Sequence, residues 1–229
     1  MATDPKTSRK HLLKDPDPFY SASNQFMERL LVNKVPLAIL LVSIVLIAAG
    51  LGIYQKQQFK KTLSMEELYF QMQQMLEKEK DASPDKILGD LKGKFGEFDE
   101  GKQKKRAHLL LADAYYRFEK YQEAEKEYRE IRDNAGADLL VKDLVRRGLA
   151  HVMEGKKDYK AAIEIYKSII DNPGPLPVFY EYTGLARAYE LSGDKENAKL
   201  ILRDLTTKFP DHPDLSRVQL QLKQLEGGS

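Results

Sequence analysis

Three hydrophobic patterns follow one another along this 229-residue chain, and each predicts a different element. Residues 1–20 mix charged and small polar groups around Pro5, Pro16 and Pro18, with no apolar period, so disorder is expected over most of residues 1–34. From Ser21 the pairs Phe26/Leu30 and Met27/Leu31 stand four apart, as on one face of a short helix. That helix either lies at a membrane's headgroup boundary or continues into the apolar run beyond it. This run is VPLAILLVSIVLIAAGLGIY, Val35 to Tyr54, apolar on every face and free of Asp, Glu, Lys, Arg and His. Twenty helical residues rise roughly 30 Å, the hydrocarbon thickness of a bilayer, so residues 35–54 are predicted to be a transmembrane helix opened by Pro36.

Beyond Tyr54 the pattern turns amphipathic. Residues 56–80 contain no Gly or Pro and align Leu68, Met72, Met75 and Glu79 in a stripe with Leu76 beside it. This methionine-rich face reads as core, with an adaptable binding surface as the other option. Ser83-Pro84 supplies an N-cap and a first-turn proline for a second helix ending near Gly93 and Gly96. Residues 55–103 therefore read as a linking helix and a degenerate first helix pair.

From residue 104 the sequence repeats itself. The dipeptides Leu111-Ala112, Leu149-Ala150 and Leu185-Ala186 are each followed, twelve residues after the alanine, by Ala124, Ala162 and Ala198. Four further on stand Tyr128, Tyr166 and Leu202, and three beyond those Ile131, Ile169 and Leu205. Tyr115, Met153 and Tyr189 add a bulky group three residues after the first alanine, and Gly136, Gly174 and Pro210 close the units. The starts lie 38 and 36 residues apart. A small residue on each of two antiparallel helices lets the backbones approach, and the large residues fill the space around the crossing. After residue 212, Leu215, Val218, Leu222 and Leu225 form one stripe, as a capping helix over residues 213–226 requires, and residues 227–229 read as a flexible tail.

This pattern resembles the tetratricopeptide repeat (TPR) family over roughly residues 104–212. The third unit carries it most fully, with Tyr182, Leu185, Ala186, Tyr189, Gly193, Ala198 and Pro210 at the family's signature positions. The second unit departs, with Met153 in an aromatic slot and a long, stiff turn from Asn172 to Pro177. The fold class implied is all-α: a single N-terminal transmembrane helix, then a TPR-like helical-hairpin solenoid with a C-terminal capping helix. The pair at residues 60–98 would shield its first apolar face.

Charge narrows the function. The chain has 37 Lys+Arg against 35 Asp+Glu, but residues 1–34 hold six basic and four acidic groups, leaving 31 of each sign for the rest. A neutral domain lacks the basic excess of a phosphate-backbone binder, so nucleic acid is not an expected partner. The absence of cysteine excludes disulfides, thiolate metal sites, cysteine catalysis and a lipidated cysteine. There is no phosphate-binding GxxxxGK[ST] loop, no HExxH and no GxSxG, and His11, His108, His151 and His212 are scattered. No catalytic residue, cofactor, metal or small-molecule substrate is expected. His108 reads as a packed histidine, whereas His151, next to Ala150, is expected to face a groove.

In TPR arrays the first helix of each pair lines a concave surface. Carried onto this sequence, the resemblance implies a protein-binding groove of Arg106, Leu109, Asp113, Tyr116 and Arg117 from the first unit. Leu144, Arg147, His151 and Glu154 follow from the second, and Tyr180, Thr183, Arg187 and Glu190 from the third. Arginine and tyrosine are interface-anchoring types. A clamp for a terminal carboxylate is not expected, because Leu109, Asp113 and Leu144 occupy its positions and Asp113 would repel the ligand.

The apolar run could instead be a cleaved signal, since Ala48-Ala49-Gly50 offers small residues near its end. The 34 residues ahead of it and its length favour an uncleaved anchor. Arg29 and Lys34 nearly balance Lys56, Lys60 and Lys61, and the short basic tail favours a cytoplasmic N-terminus. Ala48 and Gly52 form a small-xxx-small pair of the kind that supports helix association. Anchor, linking helix and short repeat array together resemble the YfgM-type inner-membrane proteins of bacteria. That resemblance implies a periplasmic TPR domain, with the secretion translocon and a membrane-anchored periplasmic chaperone as partners. The alternatives are a structural subunit of another envelope machine (motility, pilus or outer-membrane assembly) or a regulatory subunit of an enzyme.

Overall fold

The computed structural model describes residues 24, 26–28, 34–78 and 83–227. The expectation of disorder over residues 1–20 lies outside them, as do Leu30, Leu31 and Glu79; of the flexible tail expected at 227–229, Gly227 instead ends the last helix and residues 228–229 lie outside the described residues. The described residues contain helices and no strand. In chain order the elements from residue 34 are α1 (Lys34–Lys78), α2 (Pro84–Phe95), α3 (Lys102–Arg117), α4 (Tyr121–Asn134), α5 (Leu139–Gly155), α6 (Tyr159–Asp171), α7 (Phe179–Leu191), α8 (Lys195–Lys208) and α9 (Leu215–Gly227). The chain divides into two compact units, residues 1–61 and 62–229.

In the first unit the apolar side chains of α1 stay exposed among the described residues. Val35, Ile39, Val45, Leu46 and Ile53 are all exposed. Ser43 satisfies its hydroxyl within the helix by donating to the Ile39 carbonyl at 2.8 Å, as a polar side chain in an apolar helix must. A bare apolar face this large marks an interaction surface. By length and composition the helix can cross a membrane, and its place near the N-terminus suits a membrane anchor or a signal sequence.

The second unit is a row of antiparallel helix pairs: α3/α4, α5/α6 and α7/α8, with α9 after them and α2 before. Its core comes as three clusters rather than one. Met72, Ile87, Leu88, Leu91, Ala107 and Leu111 join α1, α2 and α3. Ala112, Ala124, Tyr128, Ile131, Val145 and Leu149 join the first repeat to the second. Ala150, Ala162, Tyr166, Leu185, Ala186, Ala198 and Leu202 continue into the third, where Val218 and Leu225 of α9 close the end. All six repeat alanines are fully buried, as close helix crossing demands. Burial passed from neighbour to neighbour is the arrangement of a solenoid.

The helix starts and turns follow from local chemistry. Ser83 Oγ accepts from the Lys86 amide, and Asp138, Asp158 and Asp194 accept at 3.1 Å from Val141, Ala161 and Asn197, each satisfying a free N–H of a first turn. The turns inside the three pairs place Glu119, Lys157 and Gly193 at φ of 60°, 61° and 91°. Only the third unit has glycine at this left-handed position, and the other two carry the strain of a side chain there.

Candidate functional site

The inner helices α3, α5 and α7 leave open space along one face, and most of the groove positions named from sequence line it. At its amino end a cavity of about 700 Å³ lies among Tyr69 of α1, Arg106, Leu109, Leu110 and Asp113 of α3, and Leu140, Val141 and Leu144 of α5. A smaller cavity of about 320 Å³ shares Leu109, Asp113 and Leu144 and adds Tyr116, Arg147 and His151. At the carboxyl end about 540 Å³ is lined by Tyr180, Thr183, Arg187 and Glu190 of α7, with Asp214, Arg217 and Gln221 from the α9 side.

The middle of the groove is wired by tyrosines from the outer helices. Tyr128 of α4 reaches across to donate to Asp113, passing where Gly148 offers no side chain; a Cβ there would sit 2.3 Å from the ring. Tyr166 of α6 repeats the arrangement beside Gly184, with its hydroxyl 3.1 Å from His151 Nδ1 and donating to Glu154 Oε2 at 3.1 Å. Burial and the adjoining carboxylates push both phenols far above the usual tyrosine range, so they stay protonated donors. Arg187 donates to both Glu154 oxygens at 3.0 and 2.8 Å. Burial raises the Glu154 carboxyl, but the bonds from His151 and Arg187 outweigh it and hold the group below its ordinary value. Tyr116 lies near His151, with ring centroids 6.1 Å apart.

The polar end is similarly self-satisfied. Tyr180 donates to Asp214 at 2.8 Å, Thr183 to the Tyr180 carbonyl at 2.7 Å and Gln221 to Glu190 at 3.1 Å. The His212 ring stacks on Phe179, centroids 3.4 Å apart. In the apolar end Arg106 pairs with Glu66 at 2.8 Å and lies over the Tyr69 ring. Arg117 is exposed on the last turn of α3 and lines none of these cavities.

Arg147 is placed differently from the other groove residues. Its guanidinium bonds Glu181 and Asp143 and donates to the carbonyls of Leu176 at 3.2 Å and Pro177 at 3.1 Å, leaving the side chain 15 % exposed. Arg146 adds bonds to Asp143 at 3.0 Å and to the Asn172 carbonyl at 3.2 Å, and Asp143 is fully buried. Together these groups tie the turn from Asn172 to Pro177 to α5. Gly174 is required where that turn meets Asp143, since a Cβ would come within 2.4 Å of the carboxyl carbon. Glu181 Oε2 is buried without a hydrogen-bond partner among the described residues, and burial raises its carboxyl above the ordinary value against the pull of Arg147. Nothing in the spacing marked Asp143 or Glu181 as buried. The one clue was the proline-rich turn, whose donor-poor backbone needs side chains to satisfy its carbonyls.

Away from the groove, His108 Nε2 lies 2.7 Å from Glu127 Oε2, and its ring packs on Phe95 at 4.8 Å between centroids. With Glu130 these residues bring donor atoms within 4.8 Å of one another, a composition able to take a divalent metal. The His108 hydrogen bond is the main cause of a lowered Glu127 carboxyl.

Paired helices stacked through buried alanines, with an open face along the first helix of each pair, define the class of helical-hairpin repeat proteins that act as protein-binding modules. The model of the tetratricopeptide repeat-like domain family matches residues 32–172, and that of the tetratricopeptide repeat matches residues 182–212. The chain belongs to the tetratricopeptide repeat-like family. No curated protein matches it. Among solved structures, it is similar to a Podosopora anserina kinesin-light-chain protein with nearly identical TPR-like repeats. That likeness has 16 % identity and a TM-score of 0.55, covering 72 % of this chain and 89 % of the other. A single-substitution variant of the same fungal protein gives the same identity and score over 72 % and 88 %. The likeness is one of fold. TPR folds are typically non-catalytic scaffolds that bind protein partners.

Proposed function

We propose that this chain is a membrane-anchored, non-catalytic interaction module that takes segments of partner or client proteins into the groove of α3, α5 and α7. The observation that carries this reading is the open inner face of the repeats, in a chain whose apolar helix at residues 35–54 is bare on every side. An uncleaved anchor would hold the groove at a membrane and raise its effective concentration for anything bound or emerging there. The layout supports a bacterial inner-membrane protein with its N-terminus in the cytoplasm and its repeats in the periplasm. There it would serve as an ancillary subunit of a secretion and chaperone complex. A structural subunit of another envelope machine is the second reading, favoured by the exposed Leu191 and Leu200, which line none of the groove cavities.

Topology tests the proposal, and a cysteine-free chain makes it simple. Asn172 is exposed, so full-length Asn172→Cys in intact bacterial cells can be treated with a membrane-impermeant maleimide after the outer membrane is permeabilised. Labelling before inner-membrane lysis is the expected result. Protection until lysis would place the repeats inside and overturn the secretion reading. A shortened, soluble product would show that the apolar run is a cleaved signal.

A further inference from the structure

The groove is not uniform, and its amino end makes a specific demand on its occupant. The 700 Å³ cavity has the size of a site that buries several side chains, and its walls are mainly hydrocarbon: Leu109, Leu110, Leu140, Val141 and Leu144, with the Tyr69 ring. Leu140 and Leu144 are 46 % and 36 % exposed, apolar surface that the rest of the domain leaves uncovered. The charges around this cavity are unequal in kind. Asp138 is occupied as the cap of α5, Asp113 accepts from Tyr128, and Arg106 is paired with Glu66. Lys102 and Lys105, which also line it, form no ion pair among the described residues. They stand on the first turn of α3, where Gly101 gives no side-chain cap and the helix presents its positive end. Lys102, Lys105 and the amino end of α3 therefore lie beside an apolar floor, and neither lysine is held by an ion pair among the described residues.

Resting on the groove reading above, we propose that the amino end of the groove receives a protein segment bearing aliphatic side chains flanked by acidic residues. The aliphatic groups fill the space between α3 and α5. The flanking carboxylates meet Lys102, Lys105 and the first turn of α3.

The test uses the full-length protein in lipid nanodiscs, with empty discs as background, and short fluorescent peptides amidated at the C-terminus. One peptide has a Leu/Ile centre with Glu flanks. The second keeps the centre with Lys flanks, and the third keeps the Glu flanks with a Ser/Asn centre. The first should bind at least tenfold more tightly than either twin. Leu144→Glu and, separately, Leu140→Ser should abolish that binding while leaving the circular dichroism spectrum unchanged, and Lys102→Glu with Lys105→Glu should reverse the flank preference. Equal binding of all three peptides, or binding indifferent to both leucine variants, would overturn the inference. If the third peptide binds best and loses affinity on Arg187→Ala, the groove reading stands and this inference falls. If no peptide binds, and photo-cross-linkers in the groove capture nothing in native membranes, both fall.

Discussion

The two ends of the groove differ in how fully the chain satisfies its own groups. At the carboxyl end Tyr180, Thr183, Arg187 and Glu190 already hold partners in Asp214, a backbone carbonyl, Glu154 and Gln221. At the amino end leucines stay exposed, and Lys102 and Lys105 form no ion pair among the described residues. A partner at the polar end must displace bonds that exist, and the gain is a difference between similar terms. A partner at the apolar end removes hydrocarbon from water, at about 25 cal/mol per Å², without first breaking such bonds. Residue type alone would have chosen the opposite end, because arginine and tyrosine are the usual anchors. Satisfaction, not residue type, is what distinguishes the two ends.

Denaturation of single variants measures how firmly these internal bonds hold, and the largest effect is expected at the clamp on the Asn172–Pro177 turn. Asp143→Ala removes a buried acceptor from Arg146, Arg147 and the Leu176 amide and should cost about 3–5 kcal/mol in urea denaturation. Glu181→Gln should cost less than about 1 kcal/mol, since one of its oxygens is unpartnered and burial already disfavours its charge. Equal losses would refute the division of labour between the two acids. Next come Gly148→Ala and Gly184→Ala, each forcing a Cβ into a tyrosine ring and expected to cost about 1–3 kcal/mol by the same assay. Smaller still, Gly193→Ala should lose about 1 kcal/mol at its φ of 91°, and Lys157→Gly should gain a few tenths to about 1 kcal/mol.

The smallest effect is in pH, and its sign differs between two groove-side glutamates. Glu154 has a folded pKa below its unfolded one, so its stabilisation is present above the ordinary glutamate range and fades as pH falls through the folded value. Glu181 has a raised folded pKa, so its contribution is present below the ordinary range and fades as pH rises through the folded value. Urea midpoints followed from about pH 7 down to about pH 2 should therefore approach those of Glu154→Gln at the acid end, whereas the wild type should lose ground to Glu181→Gln at the neutral end. Parallel profiles would contradict the assignment.

The alanine spacing made the repeat legible, because close crossing of two helices leaves few alternatives at those six positions. The same register placed Asp113, Tyr116, His151, Glu154, Tyr180, Thr183, Arg187 and Glu190 on the inner helices, and the cavities and bonds of the groove join them along one face. What the register could not show is competition within the chain. Arg147 occupies a groove position, yet the returning turn and two buried acids claim its donors. For that reason Arg147→Glu tests folding rather than binding. Tyr69, Leu110, Leu140 and Val141 were invisible as site residues because the cavity forms only when α1, α3 and α5 meet. The reach of Tyr128 and Tyr166 depends on glycines in the next unit, a relation between repeats that no single repeat encodes.

Site-specific photo-cross-linking of the full-length protein in native membranes distinguishes the groove from the outer helices as the binding surface. A probe replacing exposed Leu140 in the groove is compared with probes replacing exposed Gln122 and Lys126 on the outer helix α4. A discrete partner adduct is expected from position 140, lost when Leu144→Glu is added, and none from α4. Adducts from α4 alone, or from position 140 irrespective of Leu144, would contradict it and move the binding surface out of the groove.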